Sequence, residues 1–137
     1  MTEVSFYTNV IDQTRLIGKL LNKAQNAGRR LHISVRDEQH SKTITQDLYK
    51  LEPTSFFGII SHPSQEVHDL TSAIINHTTN YSHNDIIVNL TPQVPDNFSA
   101  FKRVIEIVSR EKANVDAARE RYRWYRDRGY YISTHKL

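Results

Sequence analysis

The order of apolar patterns in the first 35 residues constrains the fold most. Val4 to Thr8 is a short run rich in β-branched and aromatic residues, which reads as a strand. Asp12 is an N-cap candidate. Leu16, Ile17, Leu20, Leu21 and Ala24 then recur at helical spacing to about Ala27, and Gly28 ends the pattern. Leu31 to Val35 alternates apolar and polar residues, a second strand. Strand, helix, strand in so short a span is a βαβ unit, whose strands run parallel with a right-handed crossover.

The alternation continues. Asp37 or Ser41 can start a second helix with Ile44, Leu48 and Leu51 on its inner face, and Glu52-Pro53 ends it. Phe56 to Ile60 is a strand or a loop with an anchored apolar patch, followed by a polar stretch. Ala73 to Asn76 is a short strand. Asp85 to Leu90 is a stronger one, because Ile86-Ile87-Val88 suits a strand buried on both faces. Thr91 to Asn97 carries two prolines and is a loop. The spacing of Phe98, Phe101, Val104, Ile105 and Val108 predicts a third helix. A terminal helix starts between Lys112 and Asn114 and packs through Val115, Ala118, Tyr122 and Tyr125. Tyr130 to Ile132 forms an edge strand or a docked tail. The expectation is α/β: a three-layer single domain, residues 1–137, with a mostly parallel sheet flanked by helices.

Composition narrows the chemistry. The chain has no cysteine, which excludes disulfides, thiolate-ligated metal and thiol catalysis. No apolar run approaches a membrane span and no secretory signal pattern opens the chain, so a cytoplasmic location is expected. The four glycines, Gly18, Gly28, Gly58 and Gly129, are too far apart for a dinucleotide or phosphate-binding loop. No two of the seven histidines stand four apart, and no nucleophile elbow is present. Nothing assembles a catalytic constellation, and no metal or cofactor is expected.

The charge is regional. Residues 102–137 hold ten Lys or Arg against five acids, whereas residues 1–101 hold eight against ten. Within residues 119–131 stand five arginines and five large aromatics. Arg119, Tyr122, Arg123 and Arg126 follow helical spacing and share one side. Such a face suits an anionic partner that also carries an apolar group. A terminal helix with aromatics in the core and solvated arginines gives the same spacing, so spacing alone does not decide.

The run from Ala118 through Arg119, Glu120 and Arg121 to Tyr122, followed by Tyr125-Arg126 and Gly129-Tyr130, resembles the C-terminal signature of the chi subunit family of bacterial DNA polymerase III. Val4-Ser5-Phe6-Tyr7 resembles that family's first strand, and Asp85 to Leu90 another. The resemblance implies a Rossmann-like fold and a non-catalytic adaptor without cofactor. It implies two partners. One is the single-strand DNA-binding protein (SSB), held by its acidic C-terminal tail, which ends in a phenylalanine carboxylate. The other is the psi subunit, which leads to the clamp loader.

By the same resemblance Arg119 matches the arginine central to the tail site, and Tyr122 and Val108 match pocket residues. Val115 stands where some relatives carry a lysine, and Lys112, Arg123 and Arg126 are candidates for the missing charge. Tyr49 and Phe56, flanking Pro53, match the psi surface, with Tyr49 where tryptophan is common. Direct DNA binding is expected to be weak. The rival reading is a single-stranded nucleic-acid binder that stacks bases on the Arg/aromatic helix.

Overall fold

A computed structural model describes residues 1–51, 73–76 and 85–137. Its elements are β1 (Glu3–Val10), α1 (Gln13–Asn26), β2 (Leu31–Ser34), α2 (Glu38–Leu51), β3 (Ala73–Asn76), β4 (Ile86–Asn89), β5 (Arg103–Ser109), α3 (Lys112–Asp127) and β6 (Ile132–Lys136), with a 3-10 turn at Phe98–Ala100. The six strands form one sheet in the order β3-β2-β4-β5-β1-β6, and every pairing is parallel. The fold is the α/β Rossmann-like architecture. β1 and β2 are parallel as expected, but β4 and β5 lie between them.

Register explains the layers. Val4 faces Val104 and Ile132, and Ile87 faces Val104. These residues point to one side and pack with Phe6, Val108, Ala118 and Tyr125 beneath α3. Their alternates, Ile33, Val88 and Ile105, point to the other side and pack with Ile17, Leu21, Ile44 and Leu48 beneath α1 and α2. The strand period of two thus builds two cores on one sheet.

Local signals set the helix ends. The Asp12 side chain accepts from Arg15 N at 3.1 Å, and the Asp37 side chain accepts from His40 N at 2.7 Å, so Asp37 starts α2. At the end of α3, Gly129 takes φ +82°, Gly129 N donates to Arg126 O at 3.0 Å, and Tyr130 N donates to Tyr125 O at 3.2 Å. That pairing is a Schellman stop, and it sends the chain back along the sheet into β6.

The third helix expected over Phe98–Val108 does not form. Phe98 and Phe101 belong to the short turn and the bend after it, and Arg103–Ser109 is β5, a central strand between β4 and β1. The helical spacing was a coincidence of two elements. The turn sends Phe98 and Phe101 into the α3 core, and the strand adds Val104 and Val108 to it while Ile105 goes to the opposite core. A β-branched run buried on both faces is the mark of a central parallel strand. Phe56 to Ile60 lies outside the described residues, as does the helix end at Glu52-Pro53.

Candidate functional site

α3 packs over β5 and β1, and β6 lies at the edge of the sheet beside β1. Between α3 and β6 runs a groove of about 640 Å³. Phe6 and Thr8 of β1 and Val108 at the end of β5 form its floor. Val115, Ala118, Arg119 and Tyr122 of α3 form one wall, and Thr134 and Lys136 of β6 form the other. Asn9, Ser109 and Arg110 close the end where the strands finish. Ligand sites of open α/β sheets gather at this carboxyl end.

The groove couples an apolar floor to cations. Tyr122 leans edge-on against Phe6 at 5.5 Å and keeps 37% of its surface exposed. Ala118 is buried, so no long side chain fills the space beneath Tyr122. Arg110, Arg119 and Lys136 line the groove, and among the described residues no carboxylate does. Arg119 keeps a side chain 70% exposed and touches Asp116 only at 3.8 Å, so its guanidinium fork is available to an anion.

Backbone geometry helps to place Arg110. β1 carries one extra residue between Tyr7 and Val10 relative to β5, a bulge, and within it Asn9 adopts φ +60°. The Asn9 side-chain oxygen accepts from Arg110 Nε at 2.7 Å. This neutral partner holds the guanidinium, and among the described residues no carboxylate pairs with it.

Of the residues that the resemblance assigned to tail binding, Val108, Val115, Arg119 and Tyr122 converge on the groove. Lys112, Arg123 and Arg126 do not line it. Lys112 Nζ pairs with Asp116 at 2.8 Å, Arg123 with Glu120 at 2.9 Å and Arg126 with Asp127 at 3.4 Å, all on the solvent side of α3. The groove instead recruits Arg110 and Lys136, which sequence reasoning missed. Arg110 was assigned next to a helix that is a strand. Lys136 would have been found by carrying the edge-strand alternation of Ile132 and Thr134 one step further. Of the residues that the resemblance assigned to psi, Tyr49 is half-buried near the end of α2, packed against the α1–α2 core. Pro53 and Phe56 lie outside the described residues.

Between α3 and strands β4 and β5 sits a buried polar cluster that sequence reasoning also missed. Glu106, at 0% exposure on β5, accepts from Arg121 Nε at 3.0 Å, from Tyr125 Oη at 2.9 Å, and from Asn89 Nδ2 at 3.0 Å. Arg121 also reaches Pro92 O at 3.1 Å. The signal was a lone acid within the apolar run of β5, which burial makes costly unless it is paired. Burial pushes the Glu106 carboxyl up from its ordinary value, against the pull of Arg121, Asn89 and Tyr125. Burial first, and then Glu106, pushes the Tyr125 hydroxyl well above its ordinary range, so it remains a donor.

Trp124 also finds its place. Its ring meets Phe98 at 5.5 Å and Tyr125 at 5.6 Å, and the Arg128 guanidinium lies 3.7 Å over its face. Six of these ten arginines and aromatics therefore divide among three tasks. Arg121 and Tyr125 serve the buried cluster, Trp124 and Arg128 cap the end of α3, and Arg119 and Tyr122 border the groove.

Comparison with known proteins shows the family. The family model described as "DNA polymerase III chi subunit, HolC" matches residues 1–133. A relative from Pseudomonas aeruginosa named DNA polymerase III subunit chi is 28% identical over 142 residues, covering 100% of this chain and 98% of the relative. A Haemophilus influenzae protein of the same name is 25% identical over 121 residues, covering 81% of this chain and 78% of its own length.

Proposed function

Because the chain belongs to the DNA polymerase III chi subunit family, we propose that it is a non-catalytic adaptor of the replicative polymerase whose α3–β6 groove takes the acidic C-terminal tail of SSB. One observation carries this reading: the groove joins an apolar floor to Arg110, Arg119 and Lys136, with no carboxylate among its described lining. A tail that ends in a phenylalanine and carries aspartates upstream has the complementary pattern. The phenyl ring enters between Phe6, Val108, Val115 and Tyr122. The terminal carboxylate takes the Arg119 fork in a charge-assisted pair, and the aspartates meet Arg110 and Lys136. The second surface, carried by Tyr49 with Pro53 and Phe56, contacts psi and through it the clamp loader. Family membership supports that assignment.

The nucleic-acid alternative gains no support from α3. Its outward arginines Arg123 and Arg126 stand beside acids of the same helix, and Arg128 covers the Trp124 face that a base would stack on.

The test is Arg119→Ala in the full chain. Loss of a charge-assisted hydrogen bond costs about 1.5–3 kcal/mol, so tail affinity falls roughly ten- to a hundredfold while thermal stability stays unchanged. Unaltered affinity in the folded variant contradicts the assignment. Tyr49→Ala weakens psi binding and leaves tail affinity alone; a lost tail would mean the two surfaces were interchanged.

A further inference from the structure

β6 is an edge strand, and among the described residues no strand pairs with its outer side. Val4 N donates to Tyr131 O at 3.1 Å, and Leu137 N donates to Thr8 O at 3.0 Å. Residues alternate along a strand, so Tyr131, Ser133, His135 and Leu137 turn their backbone groups toward β1. Ile132, Thr134 and Lys136 turn theirs outward. Two of these, Thr134 and Lys136, also send their side chains into the groove. One stretch of chain thus offers both a groove wall and a row of backbone donors and acceptors. From Ile132 to Lys136 the row spans about 13 Å, enough for roughly five extended residues.

We propose that this open edge extends the groove into a second recognition element, pairing with the backbone of the acidic segment just upstream of the docked terminal residue as a seventh strand of the sheet. The inference rests on the reading of the groove as a tail site. Charge selects the occupant. β6 carries His135 and Lys136 and no acid, so an acidic strand is attracted, whereas a second copy of the same edge would set basic residues against each other. Strand addition suits a partner of variable acidic sequence, because backbone bonds hold the segment whatever its side chains are. The terminal residue supplies selectivity in the groove, and the edge supplies length.

The test compares two probes on the full chain: a short peptide of the final four tail residues, and a longer peptide that adds the acidic residues upstream. Amide exchange of the unaltered protein is followed as each saturates it. The amides of Thr134 and Lys136 become protected with the longer peptide and stay fast with the short one. Unchanged exchange at both amides under saturation by the longer peptide overturns the inference.

Variants give an independent arm. Thr134→Ala and Thr134→Pro both remove the threonine hydroxyl, but only proline removes the outward N–H, which an edge strand tolerates. The proline variant binds the longer peptide roughly three- to tenfold more weakly than the alanine variant. The two bind the short peptide equally. Equal binding of the longer peptide overturns edge pairing while leaving the groove intact. Failure of both peptides to bind the unaltered protein overturns the groove reading itself.

Discussion

Arg121 and Glu106 show how one buried pair can orient a whole helix. Arg121 has 6% exposure and Glu106 none, so neither charge is relieved by water. Their bond, with those from Tyr125 and Asn89, fixes the rotation of α3 about its axis. That rotation leaves Arg119 and Tyr122 at the groove. Glu106→Gln leaves a buried guanidinium without its counter-charge and costs about 3 kcal/mol in urea unfolding, because breaking a buried pair strands the remaining charge. The double variant Glu106→Leu with Arg121→Met removes both charges and recovers most of the loss. A cost below about 1 kcal/mol for the single change would mean that the pair does not anchor α3. The sequence made the outward arginines legible, since helical spacing places them. It hid Arg121, because spacing reports the side of a helix and not which polar group is drawn inside to meet an acid on a distant strand.

At the scale of elements, caps and periods were readable wherever the pattern is local. The ends of α1, α2 and α3 follow from Asp12, Asp37 and Gly129, each acting on its own turn. β5 was misread because Phe98 and Phe101, held by a separate turn, completed a false helical period with the strand residues. The misreading spread to Arg110, whose position depends on β5 ending where β1 bulges.

The start of α2 carries a pH dependence. His40 Nδ1 accepts from Arg36 N at 3.2 Å, a role open only to the neutral ring. Burial, and then the Arg36 charge, lower the His40 value below its ordinary 6.5, with Asp37 opposing. A lowered folded value means that the unfolded chain binds the proton more readily. The stabilisation is therefore present above about 6.5 and declines as pH falls through the folded value. His40→Asn offers an amide oxygen in place of Nδ1 and does not titrate. Thermal unfolding of the native chain should fall relative to this variant as pH drops from 8 to 5.5. Parallel curves would contradict the account.

At the scale of the whole molecule, an all-parallel sheet places every strand's carboxyl end along one rim, and the groove opens there. α2 leaves β2 at that rim and leads toward β3, which is parallel to β2, so its last turn and Tyr49 lie toward the opposite rim. The basic excess of residues 102–137 contributes all three groove cations and explains why net charge alone, +3 overall, understates the site. The groove and Tyr49 thus lie toward opposite rims of the sheet, an arrangement that suits the proposed adaptor holding two partners at once. Saturating the chain with tail peptide should change psi affinity less than about twofold, since distant, independent sites are additive. A larger coupling would point to an element that both partners move.

The most direct measurement is isothermal titration of the full chain with an acidic peptide ending in Asp-Ile-Pro-Phe, beside the same peptide without its phenylalanine. Burying a phenyl side chain stabilises by about 1.5–3 kcal/mol, so the first peptide binds at least roughly tenfold more tightly, and its affinity falls as salt rises. Equal affinity for the two peptides, or binding to neither, would contradict a groove built for an aromatic terminus.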